Sequence, residues 1–297
     1  MTLVPRSVLV ERPTEFRDLL ARHGTREQAR FFLAQRGRPI DDVEERHLRY
    51  EEVRARVIGA IPPTWRTATV QRDDLDRFLF AADDVVVVLG QDGLVANVAK
   101  YVDAQPVIGL NPDPERFPSV LVTQRPEAMG DLCADVAAGR ASVQERTMVR
   151  VALDDGQEPQ ALNEIFLGHR THQSARYELT AGGTREHQSS SGLIVATGTG
   201  ATGWASSINR QNRRRLDLPG PTADELAWFV REAWESPTTG ATLTAGLLGA
   251  GESITVASEL GGDGVVFGDG IESDRLALDW GQRVTIAAAE RRLRLVA

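Results

Sequence analysis

Apolar residues along the chain fall into two textures, and the break between them lies near residue 140. In the first part, SVLVER (7–12) reads as a strand, and Phe16, Leu19 and Leu20 recur at helical spacing across 14–23 before Gly24. Residues 26–36 and 42–58 are charged and amphipathic, which predicts two more helices as a lid or added outer layer, ending before Ile61, Pro62 and Pro63. TATVQR (67–72), VVVVL (85–89), PVIGLN (106–111) and VLVTQ (120–124) then read as strands alternating with helical segments, the last of which covers 126–138. That rhythm predicts a parallel sheet of Rossmann-like α/β type.

After residue 140 the segments become short, rich in β-branched residues and separated by Gly, Asp and Ser turns. MVRVAL, ALNEIFLG, ARYELTA, GLIVATGT, ATLTAGLL, ESITVASEL, GVVFGDG and RVTIAAA all read as strands. A helix starting near Ala201 and another over 223–234 are the helical candidates in this half. The pattern predicts two domains: an α/β domain over 1–140 and a β-rich, sandwich-like domain over 141–279.

Composition narrows the function classes. The 297 residues, 41% of them hydrophobic, are enough for a large core, and the net charge of −8 argues against a general nucleic-acid or anionic-membrane binder. A local basic run at Arg210 and 213–215 reads as a solvated helix end. One cysteine, Cys133, excludes an intramolecular disulfide and a cysteine metal site within one chain. With no apolar run of membrane-spanning length and no signal-peptide core, the expectation is a cytoplasmic protein. His169 and His172 are spaced i, i+3, but a third obvious ligand is lacking, so no metal site is assigned.

The valine strand runs straight into Gly90, Gln91, Asp92 and Gly93 and then a helix. Glycines let the backbone approach a phosphate at the positive end of a helix dipole, and an acid there suits a base for phosphoryl transfer. The same residues suit an ordinary strand-to-helix turn, and the segment alone does not separate the two. Downstream, Asn163 and Glu164 adjoin an apolar strand, where an amide and a carboxylate can meet a ribose or a base edge. Thr197, Thr199 and Gly200 belong to a Thr/Gly turn that can offer amides and hydroxyls to phosphate, with Trp204 able to stack on a base. The literal Gly-Gly-Asp-Gly at 261–264 lies between two β-like segments with no helix behind it, and so reads as a hairpin turn.

In order, GQDG, GLNPDPERF, ALNE, SSGLIVATGTGATGW and a terminal FGDGI form a series that resembles the NAD kinase family, closest to its mitochondrial-type branch and bacterial relatives. The resemblance runs from about residue 83 to the C-terminus, and it implies that 280–297 return to the first domain. It implies transfer of a phosphoryl group from ATP or polyphosphate to the adenosine 2′-hydroxyl of NAD or NADH, with Mg2+ or another divalent cation accompanying the donor. Asp92 would be the general base, and Gly90, Gln91, Gly93, Thr197, Thr199 and Gly200 would contact phosphate. Asn163, Glu164, Ser191, Thr202, Trp204 and Ser207 would bind NAD. The family's homodimers and homotetramers imply self-association. Two alternatives remain: a catalytically impaired NAD(H)-binding sensor or scaffold, and a related kinase acting on a lipid or another small alcohol. The opening motif departs from the family at Gln91, where a glycine is usual, and at Leu94, where a threonine is usual. If the glycine has positive φ, a side chain there costs about 1 to 2 kcal/mol, and the loop shifts or is strained.

Overall fold

The computed structural model describes residues 4–212 and 215–297; Arg213 and Arg214 of the basic run lie outside the described residues. The chain forms two units, one comprising residues up to Val143 together with Arg294–Ala297, the other Gln144–Leu293.

The first unit is built from β1 (Arg6–Glu11), α1 (Glu15–His23), α2 (Arg26–Ala34), α3 (Ile40–Ala60), β2 (Arg66–Gln71), β3 (Asp84–Leu89), α4 (Asp92–Ala99), β4 (Pro106–Leu110) and α5 (Met129–Ala137). Its parallel strands run in the order β2, β1, β3, β4. The four valines of β3 are buried because the strand is covered on both faces, as parallel strands with crossover helices are. Val85, Val87 and Leu89 join Leu9, Ile108 and Leu110 in a cluster closed by Val53 and Val57 of α3 and by Met129 and Cys133 of α5. Burial pushes the Cys133 thiol up to about 11, so it behaves as a small apolar side chain.

The predicted outer helices exist, and their ends are set by local chemistry. Thr14 and Thr25 cap α1 and α2 by accepting the amides of Arg17 and Gln28, and Gly24 ends α1 at φ +79°. These helices and the start of α3 enclose their own cluster of Phe16, Leu19, Ala29, Leu33, Ile40 and Val43. The opposite end of α3 belongs to the sheet's core, so the insert is anchored to the unit.

The segment 120–124 is not the strand its apolar character predicts. It meets β4 through one bridge, Leu110 to Gln124, while Leu121 passes directly over Gly109, where a Cβ would lie 2.4 Å from the Leu121 carbonyl oxygen. Its amides at 120–122 are held by Asp92 instead of a neighbouring strand.

The second unit holds β5 (Val143–Leu153), β6 (Gln160–Ala161), β7 (Glu164–His169), β8 (Ala175–Ala181), β9 (Thr184–Ser190), β10 (Leu193–Ala196), α6 (Trp204–Gln211), β11 (Leu226–Val230), β12 (Ala245–Leu248), β13 (Ser253–Ser258), β14 (Gly264–Gly268), β15 (Leu276–Leu278) and β16 (Arg283–Val296). One sheet runs β12, β11, β10, β7, β14, β15. Opposite it, β16 pairs with β13, β13 with β8, and β8 with β9, all antiparallel. Tyr177, Leu179, Ile254, Val256 and Ile286 interleave with Ile165, Leu167, Val195, Trp228 and Val266 in the sandwich core.

Further differences from the sequence reading stand out. Residues 223–234, predicted helical, contain β11: Leu226, Ala227, Trp228, Phe229 and Val230 are all buried, and a short run that is apolar on both faces carries no period to tell strand from helix. The polar TREHQSS segment was not expected to form a strand, yet it pairs along its whole length with β8 through a turn at Gly182 and Gly183, both at positive φ. The return to the first unit also begins late, at Arg294, because residues 283–287 pair with β13. Arg294 and Leu295 then pair in parallel with Pro106 and Val107 of β4.

The first unit contains a buried ion pair that its register creates. Asp84, with a fully buried side chain, receives two hydrogen bonds from Arg6 at 2.6 and 2.7 Å and one from the Ala81 amide. Arg6→Met would leave that carboxylate buried with one amide, at a cost of about 3 kcal/mol. The measurement is a lowered urea midpoint followed by far-ultraviolet circular dichroism, and an unchanged midpoint would contradict this account.

Candidate active site

In the first unit the site grows from strand order. The chain leaves the C-terminal end of β1 towards β2, but β3 lies on the other side of β1, so the crevice above β1 and β3 is a switch point of the kind where α/β sheets bind ligands. Gly90 and Gln91 sit there, followed by Asp92 as the first residue of α4. A cavity of about 240 Å³ opens at this place, lined by residues of β1's exit, the GQDG turn, α3 and the start of the 111–117 loop.

The turn is unstrained. Gln91 has φ −114° and ψ 166°, an extended conformation open to any residue, so the strain expected from the missing glycine is absent. The Gln91 side chain accepts a hydrogen bond from Arg12 at 3.2 Å. Leu94 is buried, and a Cβ on Gly90 would lie 3.1 Å from its Cδ2 atom. This leucine fills core space where the family pattern has a threonine. Gly93 is exposed, with nothing near the place where a Cβ would be.

Asp92 does not point an idle carboxylate into the crevice. Its Oδ2 accepts from the Val120 amide at 2.9 Å, and its Oδ1 accepts from Leu121 and Val122 at 2.9 and 3.1 Å. Three of roughly four acceptor positions on the carboxylate are thereby occupied. Its negative charge is stabilised by amide dipoles of another segment, and it gives no side-chain cap to its own helix.

In the second unit, Asn163 and Glu164 stand at the entry to β7. Asp269, at φ +57° in the turn after β14, accepts from the amides of Leu162 at 3.1 Å and Asn163 at 2.6 Å, while its own amide donates to Glu164 O. Thr197 fixes the same segment from the other side, donating to Leu162 O at 2.6 Å. Its hydroxyl oxygen also accepts from the Thr199 and Gly200 amides at 3.1 and 3.2 Å. Those two amides are therefore engaged inside the turn. Close approach explains the glycines: a Cβ on Gly200 would lie 2.1 Å from Asn163 O, and one on Gly198 would lie 1.9 Å from Gly220 O. Thr199 is buried, and its hydroxyl has no partner among the described residues.

Thr202 is exposed and its hydroxyl donates to Thr199 O at 3.0 Å; Trp204 and Ser207 follow on α6. Trp204 stacks on Phe166 at 5.9 Å, and the Arg231 guanidinium lies 5.1 Å from its ring centre. Ser191 is exposed, and its amide donates to Arg231 O. Ser191 and Trp204 thus share Arg231, a residue the sequence did not single out. Asp269 was seen only as part of a terminal motif; the signal available was an acid before Gly270, a pair suited to a left-handed turn.

The literal Gly-Gly-Asp-Gly forms the turn into β14, with Gly262 at φ +85° and Asp263 paired to Arg170 at 2.6 Å. His169 Nδ1 accepts from the Thr171 amide at 3.0 Å. Among the described residues no group of three or more His, Cys, Asp or Glu side chains could hold a metal, and no helix is long and apolar enough to cross a membrane.

The chain thus combines a parallel α/β unit, with a glycine turn and a capless helix at its switch point, and a β-sandwich unit. Comparison with curated proteins gives it relatives. The chain is 32% identical to an NAD kinase of Geotalea daltonii over 48% of this chain and 50% of that protein. It is 35% identical to an NAD kinase of Azotobacter vinelandii over 42% and 44%, and 28% identical to human NAD kinase 2, mitochondrial, over 48% and 42%. The chain is related to the NAD kinase family, and it spans about half the length of the curated relatives it matches. No family model matches it.

Burial, with Asp269 adding repulsion, pushes Glu164 up to about 7 from its ordinary 4.5. A carboxyl raised in the folded state is protonated in both states below 4.5, but between 4.5 and 7 the unfolded chain ionises first, so this residue lowers stability as pH rises through that window. Glu164→Gln should leave the thermal midpoint unchanged near pH 4.5 and raise it relative to the parent above pH 7. Parallel midpoint curves for the two proteins across that range would rule out the shift.

Proposed function

We propose that this chain is an NAD kinase, transferring a phosphoryl group from ATP or polyphosphate to the adenosine 2′-hydroxyl of NAD or NADH. The observation that carries the proposal is the GQDG turn, set between a fully buried parallel strand and a capless helix at the sheet's switch point in a chain related to NAD kinases. In this reading the turn and the first amides of α4 receive donor phosphates. Asn163 and Glu164 bind the acceptor dinucleotide, aided by Ser191, Thr202, Trp204 and Ser207. Thr199 offers its hydroxyl, which lacks a partner among the described residues.

Asp92 takes the proton from the 2′-hydroxyl through the acceptor position its amide contacts leave open. Catalysis comes from positioning and charge neutralisation, since phosphoryl transfer asks for little covalent chemistry from the protein. The divalent cation enters as part of the donor: no residue group is suited to hold one permanently among the described residues, and Mg2+ commonly keeps its waters and binds through substrate phosphates. Association into homodimers or homotetramers is part of the same proposal.

A second reading has its own observation. The three amides on the Asp92 carboxylate suit a structural clasp, as expected of an NAD(H)-binding sensor or scaffold that no longer transfers phosphate. Purified protein given NAD and NADH with ATP, other nucleotides or polyphosphate separates the two, with product identified by mass. Asp92→Asn should reduce NADP(H) formation by about 100-fold or more while circular dichroism remains that of the parent. Turnover within about twofold of the parent would remove Asp92 from the base role, whereas NAD binding with no NADP(H) from any donor supports the sensor.

A further inference from the structure

The stretch GLNPDPERF (109–117) belongs to the motif series, yet none of its residues has a part in the proposed reaction. Asn111 stands in it directly after β4 and is buried, whereas residues 114–118 are exposed. We infer that Asn111 is a positioning residue for Asp92: it closes the 111–124 loop at both ends and thereby fixes the amides that hold the Asp92 carboxylate. The inference rests on the kinase reading for what Asp92 does in the reaction, but not for how Asp92 is held.

Hydrogen bonding carries the argument. The Asn111 side-chain nitrogen donates to Phe117 O at 2.7 Å and to the Ser119 hydroxyl oxygen at 3.2 Å, and its oxygen accepts from the Asp113 amide at 3.0 Å. A carbonyl can only accept and an amide N–H can only donate, so this network fixes which end of the side chain is which. The Asn111 backbone N–H donates to Gln124 O at 3.1 Å, and the Gln124 N–H donates to Gly109 O at 3.0 Å. One residue thus grips the loop at 117–119 with its side chain and at 124 with its backbone. Between those grips, Val120, Leu121 and Val122 donate to the Asp92 carboxylate at 2.9, 2.9 and 3.1 Å.

Packing does not do this work by itself. Leu121 and Val122 are buried and set the depth of the segment, but Phe117 and Val120 are each 42% exposed. Cavities open on two sides of the loop, and Asn111 and Pro112 line both of them. The position of 117–120 therefore depends on directional bonds. Val120 is the residue that meets Asp92 Oδ2, while the other two amides share Oδ1. Where Val120 sits decides how the carboxylate is turned, and with it the direction of the acceptor position left open. A base has to meet its proton within hydrogen-bond reach, so a small displacement is expensive in rate. Asn163 and Glu164 lie in the other unit, and their contacts do not include this loop. An aspartate at 111 would keep the acceptor for the Asp113 amide but set a second oxygen against Phe117 O.

The test uses the full chain with Asn111→Ala, the isosteric Asn111→Asp and the milder Ser119→Ala, each made with Asp92 intact and with Asp92→Asn. Amide hydrogen exchange at 120–122 is followed by nuclear magnetic resonance, and NADP(H) formation by steady-state kinetics. Both Asn111 variants should speed exchange at Val120 by about tenfold or more, and Ser119→Ala by less, because only the weaker of the two donated bonds is lost. With Asp92 intact, the Asn111 variants should lower kcat by about tenfold or more while KM for NAD and for the donor stays within about twofold. In the Asp92→Asn background the same changes should alter kcat by less than about twofold, since the group through which Asn111 acts is already gone. Unchanged exchange at 120–122 in both Asn111 variants overturns the inference, whatever the activity. Equal losses of kcat in the two backgrounds overturn it as well, because a merely structural residue lowers the rate regardless of Asp92. A parent chain that forms no NADP(H) with any donor, but loses exchange protection on Asn111→Asp, defeats the kinase reading and leaves Asn111 as the residue that sets the hold on Asp92.

Discussion

The carboxylate of Asp92 ties the first residue of α4 to the backbone at 120–122, and much of the first unit's upper edge follows from that contact. An apolar segment with its amides held this way cannot form a regular ladder with β4, so it crosses the sheet's end as a strap. The strap's path over β4 leaves no room for a side chain at Gly109. The three backbone amide dipoles stabilise the negative charge of the carboxylate. The N-cap residue of α4, Gln91, gives the helix no side-chain cap, its side-chain oxygen accepting from Arg12 instead.

The second unit solves a similar problem with the same chemistry. Asp269 holds the amides of Leu162 and Asn163, and Thr197 holds the carbonyl of Leu162 and two amides of its own turn. Asn163 is thereby fixed from two sides, with Gly200 against its carbonyl at a distance no side chain permits. The threonine and glycine richness of 197–203 therefore serves mainly to place its neighbours, and the Thr199 hydroxyl has no partner among the described residues. Burial of this segment also raises the Glu164 carboxyl, with Asp269 adding repulsion.

Gln91 shows how a departure from a motif can be read physically. A glycine is indispensable where φ is positive or where backbones touch, and neither holds here: Gln91 is extended. The position is free to carry a side chain, and that side chain meets Arg12, a residue 79 positions earlier in the chain.

Periodicity and composition were enough to reveal the parallel sheet, its outer helices, the β-rich second half and the strand-turn-helix setting of Asp92, because each is written locally in spacing, caps and turn residues. Motif order supplied Asn163, Glu164 and the Thr/Gly turn as a set. Three features required the tertiary structure. Residues 226–230 became a strand because neighbours cover both faces, a fact no local period encodes. The 120–124 segment lost its strand because a distant acid captured its amides. The cavity at the switch point arises only when β1's exit, the GQDG turn and the face of α3 come together. Sequence sets which groups each residue offers; which donor meets which acceptor is decided by contacts between residues tens of positions apart, and in this chain those contacts define the site.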